Sequence, residues 1–213
     1  MKFGKNLNQV VELSDPEWGP FWMNYCFLKR KIKREIYNDL QTKKCEKEAK
    51  SDNIMDNSNE IPSTKVVQDL LNSTLEVGFF TLLRSELKKV VDFFEGSEQI
   101  FRIRHGRLIS AFKMLQNIDS LESNRKKGAS WSRLLSSCVR FYKDLLMLEN
   151  FAIMNYCGFS KILKKHDKIT GFETRDLFMK NVMRLQNFTQ HLSVIDMLKA
   201  TETLFQDIQS MDT

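Results

Sequence analysis

Apolar residues recur at three- and four-residue intervals along most of this chain, the spacing of one helical face. Leu7, Val10 and Val11 make a short amphipathic piece after Lys2-Phe-Gly-Lys5. Ser14-Asp-Pro-Glu-Trp18 is a helix-start signal: Ser14 or Asp15 can cap, Pro16 suits the first turn and Glu17 complements the dipole. Gly19-Pro20 weakens that turn, so the regular helix is expected from about Phe21 to Leu40, with Phe21, Tyr25, Leu28, Ile32 and Ile36 on one stripe. From Gln41 to Thr64 apolar residues almost vanish, which reads as a flexible polar insertion unable to bury a core.

Periodicity resumes near Lys65 and runs through Leu70, Leu75, Phe79, Leu83, Leu87, Val90 and Phe94 to Leu115. Glu95-Gly-Ser-Glu98 offers a place to kink or break. Unbroken from Ser73 to Asn117, this helix would be about 68 Å long at 1.5 Å per residue. A polar loop (119–130) leads into a second long helix, Trp131 to about His166, closed by Thr170-Gly171. Its buried side is expected along Trp131, Leu135, Cys138, Tyr142, Leu145, Tyr156, Phe159 and Leu163. Two shorter helical patterns, Glu173 to about Leu185 and Leu192 to Ile208, finish the chain. No sustained alternation marks a strand. The expected fold is all-α: an N-terminal helical hairpin on a bundle of two long antiparallel helices plus shorter C-terminal helices.

Composition agrees with this pattern and narrows the function. With 213 residues, 42% apolar and 28% charged, the chain suits one globular domain, residues 1–213, with 41–64 as an insertion. Only 8 Gly and 3 Pro leave few turns. The four cysteines (Cys26, Cys45, Cys138, Cys157) form no C-x-x-C, and those in helical patterns read as small buried or half-buried thiols. An intracellular setting, nucleus or cytoplasm, is expected. No secretory signal or 18-residue apolar run is present. The net charge of +6 points to anionic partners.

That charge is concentrated. Lys161, Lys164, Lys165 and Lys168 sit at i, i+3, i+4 and i+7, within an arc of roughly 100° on the second long helix. Their direction lies roughly 140° from the apolar side. A lysine-rich helix face is commonly only a solvated surface. This one has a single sign, interrupted by Asp167 alone, whereas soluble faces usually mix both. Like charges at this spacing repel by a few tenths of a kcal/mol per pair, and an anion relieves that. His166 beside Asp167 lacks a nucleophile or second carboxylate, so it reads as an imidazole interacting with last-turn carbonyls or the helix dipole. No catalytic constellation is evident, and no enzyme activity, metal or cofactor is expected.

The residues also resemble a known family, the SPX domain. Met1-Lys-Phe-Gly-Lys5 is similar to its N-terminus, and Pro16-Glu-Trp18 with Tyr25-Cys-Phe-Leu-Lys29 to its second helix, where Y-x-x-L-K recurs. Glu86-Leu-Lys-Lys-Val90 with Phe93-Phe94 resembles its first long helix. Asn155-Tyr156, Gly158-Phe159, Lys161-Ile-Leu-Lys-Lys-His-Asp-Lys168 and Thr170-Gly171 resemble the signature of the second. The resemblance covers residues 1 to about 205. It implies binding of inositol polyphosphates or pyrophosphates, such as inositol hexakisphosphate, as a readout of phosphate status. By motif it assigns Tyr25, Lys29 and Lys165 to a phosphate-binding cluster and Lys161, Lys164 and Lys168 to a neighbouring lysine surface, with Lys2 close by. Cys26 departs from the pattern, standing where a lysine is common.

Lysine chemistry fits this independently, because a flexible ammonium with three donors can follow a crowded polyphosphate ring. Tyr25 adds a phenolic donor. The resemblance also implies a regulated protein partner, such as a phosphate-starvation transcription factor; alternatively the chain is the sensor part of a phosphate transporter or polyphosphate polymerase complex. A general acidic-surface or nucleic-acid binder is the reading from another class. Direct nucleic-acid binding is not expected, because the lysine face lacks interleaved exposed aromatics.

Overall fold

The computed structural model describes residues 3–37, 63–117 and 124–211. The described residues with regular structure are all helical: α1 (Phe3–Leu13), a 3-10 turn (Pro16–Phe21), α2 (Tyr25–Lys31) running into a π-helical turn (Ile32–Tyr37), α3 (Ser63–Asn117), α4 (Asn124–Thr170), α5 (Thr174–Asn181), a 3-10 turn (Met183–Leu185), α6 (Asn187–Gln190) and α7 (Leu192–Met211). The all-α expectation holds. The chain divides into two compact units, Met1–Val90 with Tyr156–Met183, and Val91–Asn155 with Arg184–Thr213.

The first unit carries the N-terminal hairpin. Its core holds Leu7, Trp22, Met23, Leu28, Ile32, Phe79, Leu83, Phe159, Ile162 and Leu163. Asp15 caps the 3-10 turn by accepting from Glu17 N at 2.9 Å. Ser14 closes α1 instead: its amide donates to the Val10 carbonyl, and its hydroxyl donates to the Val11 carbonyl and accepts from Trp22 Nε1. The next regular helix starts at Tyr25, four residues later than expected, and Phe21 is exposed. Pro20 has no N–H to offer, and Trp22 takes an extended backbone that tucks Trp22 and Met23 into the core. Asn24 then caps α2, its side chain accepting from Phe27 N at 3.1 Å. Its own amide donates to Glu86 Oε2 of α3 at 2.8 Å, which pins the start of α2 to the long helix.

In the second unit α3 and α4 run antiparallel, pairing Phe93 with Phe151, Phe101 with Phe141 and Phe112 with Trp131. Leu204 and Ile208 of α7 close over Trp131, Leu134 and Cys138. The segment at 95–98 does not break α3, which is helical throughout Ser63–Asn117. A helix-interior glycine costs about 1 kcal/mol relative to alanine, and fully buried Val90 and Phe94 with nearly buried Phe101 outweigh it.

Several side chains depart from expectation. On α4, Tyr156 is exposed and Tyr142 half-buried, its hydroxyl donating to Glu202 Oε1 at 2.6 Å. The second long helix begins at Asn124, inside the expected loop, and the Glu173–Leu185 pattern is split into α5 and a 3-10 turn. Cys138 is buried and Cys157 half-buried, but Cys26 is exposed. Ser63 and Thr64 are already helical; the rest of the 41–64 insertion, Cys45 included, lies outside the described residues. No helix among the described residues is long and apolar enough to cross a membrane.

Candidate functional site

Gly158 of α4 is where the N-terminal hairpin meets the lysine-bearing helix. A Cβ there would stand 2.5 Å from Met23 Sδ and 3.7 Å from the Phe3 ring, so only glycine admits that approach unshifted. Phe3 in turn packs edge-on against Tyr25, ring centroids 5.1 Å apart. Gly4 makes room on the same side, for a Cβ on it would meet the Tyr25 ring at 3.3 Å. Tyr25 is 9% exposed. Burial, and then the neighbouring Cys26, push its phenol above its ordinary pKa.

The four lysines of α4 follow directly. At about 100° per residue, Lys165 points within about 20° of Gly158, Lys161 and Lys168 about 60° and 80° away, and Lys164 about 120°. Lys165 is accordingly half-buried on the side turned toward Met23 and Phe3, while Lys161, Lys164 and Lys168 are exposed. Lys29, exposed, stands one turn beyond Tyr25 on α2. The structure thus brings Tyr25 and the start of α1 to the side of α4 that carries Lys165. Lys2 lies outside the described residues. Among the described residues no carboxylate pairs with Lys29, Lys161, Lys164, Lys165 or Lys168, whereas Lys89 is held by Glu86 at 2.6 Å.

Asp167 does not interrupt the face as its position suggests. Its Oδ1 accepts from Thr174 N and Thr174 Oγ1, and its Oδ2 from Arg175 N at 2.9 Å. It serves as the N-terminal cap of α5, where Glu173 makes no side-chain cap bond. The one acidic group of the patch is thereby spent on the neighbouring helix. Burial pushes its pKa up, but the bonds from Thr174, Arg175 and His166 outweigh this and hold it below the ordinary carboxylate value.

A depressed folded pKa contributes stability that is present above the unfolded value, about 3.9, and lost as pH falls through the folded one. Asp167→Asn should therefore be less stable than the parent at pH 7, with the gap closing well below about pH 4. Urea unfolding at both pH values checks this; a pH-independent gap contradicts it.

His166 is fully buried, not a last-turn imidazole facing carbonyls. Its Nε2 lies 2.9 Å from Glu76 Oε2 of α3, and its ring stacks on Phe79 at 4.6 Å. It is a structural bolt beneath the lysine face. Gly171 ends α4 at φ 80, its amide donating to the Asp167 carbonyl. The sequence reading missed the Glu76 pairing, 90 residues away in the chain. A mid-helix glycine at 158 was the available signal for the close contact. No His, Cys, Asp or Glu cluster suited to a metal occurs among the described residues. The arrangement offers cationic donors and one phenol to an anion.

Comparison with known proteins follows the same lines. A family model described as SPX domain matches residues 103–182. SPX domain-containing protein 2 of Arabidopsis thaliana is 30% identical over 192 residues, covering 90% of this chain and 61% of the relative. SPX domain-containing protein 1 of the same plant is 28% identical over 208 residues, 98% of this chain and 71% of the relative. The phosphate system positive regulatory protein PHO81 of Saccharomyces cerevisiae is 30% identical over 186 residues, 87% of this chain and 15% of that protein. The SPX domain of Chaetomium thermophilum glycerophosphodiester phosphodiesterase 1, solved in complex with inositol hexakisphosphate, has the same fold. Its TM-score is 0.69 at 21% identity, over 98% of this chain and 99% of that one.

Proposed function

The chain belongs to the SPX domain family, and from that premise we propose that it is a phosphate-status sensor that binds an inositol polyphosphate or pyrophosphate. Tyr25, Lys29 and Lys165 form the inner phosphate-binding cluster, Lys161, Lys164 and Lys168 the outer lysine surface, and Lys2 supports them. The observation that carries this reading is the lysine face of one sign, whose single carboxylate is turned onto α5. The bound inositol hexakisphosphate of the Chaetomium relative supports the ligand class. Residues 1–213 act as one SPX domain, with 41–64 as an insertion.

A rigid ring bearing six phosphates meets several lysines from one position, so each contact after the first is intramolecular. Orthophosphate engages only part of the cluster. Titration calorimetry at one salt concentration should show inositol hexakisphosphate binding far more tightly than orthophosphate or a short duplex DNA. Its affinity should fall as salt rises, because exposed charges are screened. Comparable affinity for orthophosphate sinks the reading; tighter binding of DNA favours a general polyanion surface.

The loaded site then controls a protein partner, of which a phosphate-starvation transcription factor is the leading class. The name of the yeast relative, a phosphate system positive regulatory protein, supports a regulatory role. The small share of PHO81 that matches shows such a segment within a longer chain, the kind of arrangement the second reading, a sensor part of a phosphate transporter or polyphosphate polymerase complex, requires. By linkage the ligand must change partner affinity as the partner changes ligand affinity. A partner held equally with and without inositol hexakisphosphate removes the switch and leaves the binding site.

A further inference from the structure

The second unit holds a feature with no part in the lysine site. Between α3 and α4 runs an open groove of about 640 Å³, edged by Arg104, Arg107, Arg133 and Arg140. Its floor is apolar: Leu108, Ala111 and Leu115 come from one face of α3, Leu134 and Phe141 from α4. Arg104 is already engaged, its Nη2 2.6 Å from Asp144 Oδ2 and its guanidinium over the rings of Phe101 and Phe141. Arg107, Arg133 and Arg140 are exposed, and among the described residues no carboxylate pairs with any of them.

We propose that this groove docks an acidic amphipathic helix of a partner protein. The helix lays its apolar stripe on Leu108, Ala111 and Leu115 and its Asp or Glu flanks against Arg107, Arg133 and Arg140. Three uncompensated cations around an apolar floor require an occupant that is both anionic and apolar. A free polyphosphate has no apolar surface to cover that floor. A lipid bilayer is too flat to reach down between two helices. Nucleic acid finds no aromatic to stack on, since Phe141 is 1% exposed. Arginine's planar fork matches carboxylates two bonds at a time. From Arg104 to Leu115 the groove is about 17 Å long, three helical turns, which suits anchors at i, i+3 or i+4 and i+7.

Panning a displayed library of helical peptides on the intact chain tests the proposal. Enriched sequences should carry apolar anchors at that spacing with acidic flanks. A synthetic peptide of the enriched sequence should bind the Arg107→Glu, Arg133→Glu double variant at least about tenfold more weakly. A peptide with lysine at its acidic positions should recover affinity for that variant. Inositol hexakisphosphate binding by the variant should stay unchanged, which separates this surface from the lysine face; its thermal melt provides the fold check should that ligand not bind at all. If the double variant melts early, Arg107→Gln with Arg133→Gln gives the same reading. No enrichment of acidic helices, or affinity indifferent to the arginines, overturns the proposal. So does Arg107- and Arg133-dependent binding of anionic vesicles or duplex DNA, or self-association through this face.

Discussion

Replacing Lys29 and Lys165 together with alanine is expected to weaken inositol hexakisphosphate binding at least about tenfold. Both belong to the proposed inner cluster: Lys29 follows Tyr25 by one turn, and Lys165 is the half-buried member of the α4 set, on the side turned toward the N-terminal hairpin. Charge-assisted bonds are roughly twice as strong as neutral ones, and alanine leaves nothing to replace them. Lys43 and Lys44 carry the same charge in the polar stretch of the sequence and are not part of the proposed cluster, so their replacement should leave affinity nearly unchanged. Calorimetric titration of the two double variants separates the cases. Equal losses from both pairs would mean diffuse attraction to net positive charge and no defined site.

Gly158→Val is expected to destabilise the protein and to lower its affinity for the polyanion in the same variant. A Cβ alone already reaches 2.5 Å from Met23 Sδ, and Met23 is only 3% exposed, so the sulfur has little room to retreat. Overpacking of a filled core costs about 1–3 kcal/mol. Against this stands the gain from removing a helix-interior glycine, about 0.5–1 kcal/mol, which the larger clash exceeds. Gly106→Ala provides the control: it too lies within a long helix, but nothing stands within 4 Å of its would-be Cβ. That substitution should raise the melting temperature while Gly158→Val lowers it. A Gly158→Val variant as stable as the parent, with unchanged affinity, would show that the Met23 contact does not hold the hairpin to α4.

The lysine face was legible because helical periodicity is local: Lys161, Lys164, Lys165 and Lys168 share a side of any helix drawn through them. The two long helices were legible for the same reason, since apolar spacing persists through Gly78, Gly96 and Gly106. What escaped depends on partners distant in the chain or on competing local bonds. Asp167 reads as an interruption of the charge pattern until α5 folds back and supplies Thr174 and Arg175. His166 reads as a helix-end imidazole until Glu76 of α3 arrives beside it. Asn24 caps α2 through its side chain and also donates its own amide to Glu86, 62 residues along the chain, a pairing that no local pattern shows. The split of Tyr25, Lys29 and Lys165 from Lys161, Lys164 and Lys168 came from family resemblance alone. On α4, the direction of Gly158 sets Lys165 apart from Lys161, Lys164 and Lys168.

The central claim is that one set of lysines meets the polyanion, and lysine footprinting reads it residue by residue. Brief acylation of the intact chain, with and without saturating inositol hexakisphosphate, is followed by mass spectrometry of the labelled peptides. Lys29, Lys161, Lys164, Lys165 and Lys168 should lose reactivity together on adding ligand. Lys43, Lys44, Lys180 and Lys199 should keep theirs. Protection spread evenly over all these lysines, or confined to ones outside the five, would contradict the site.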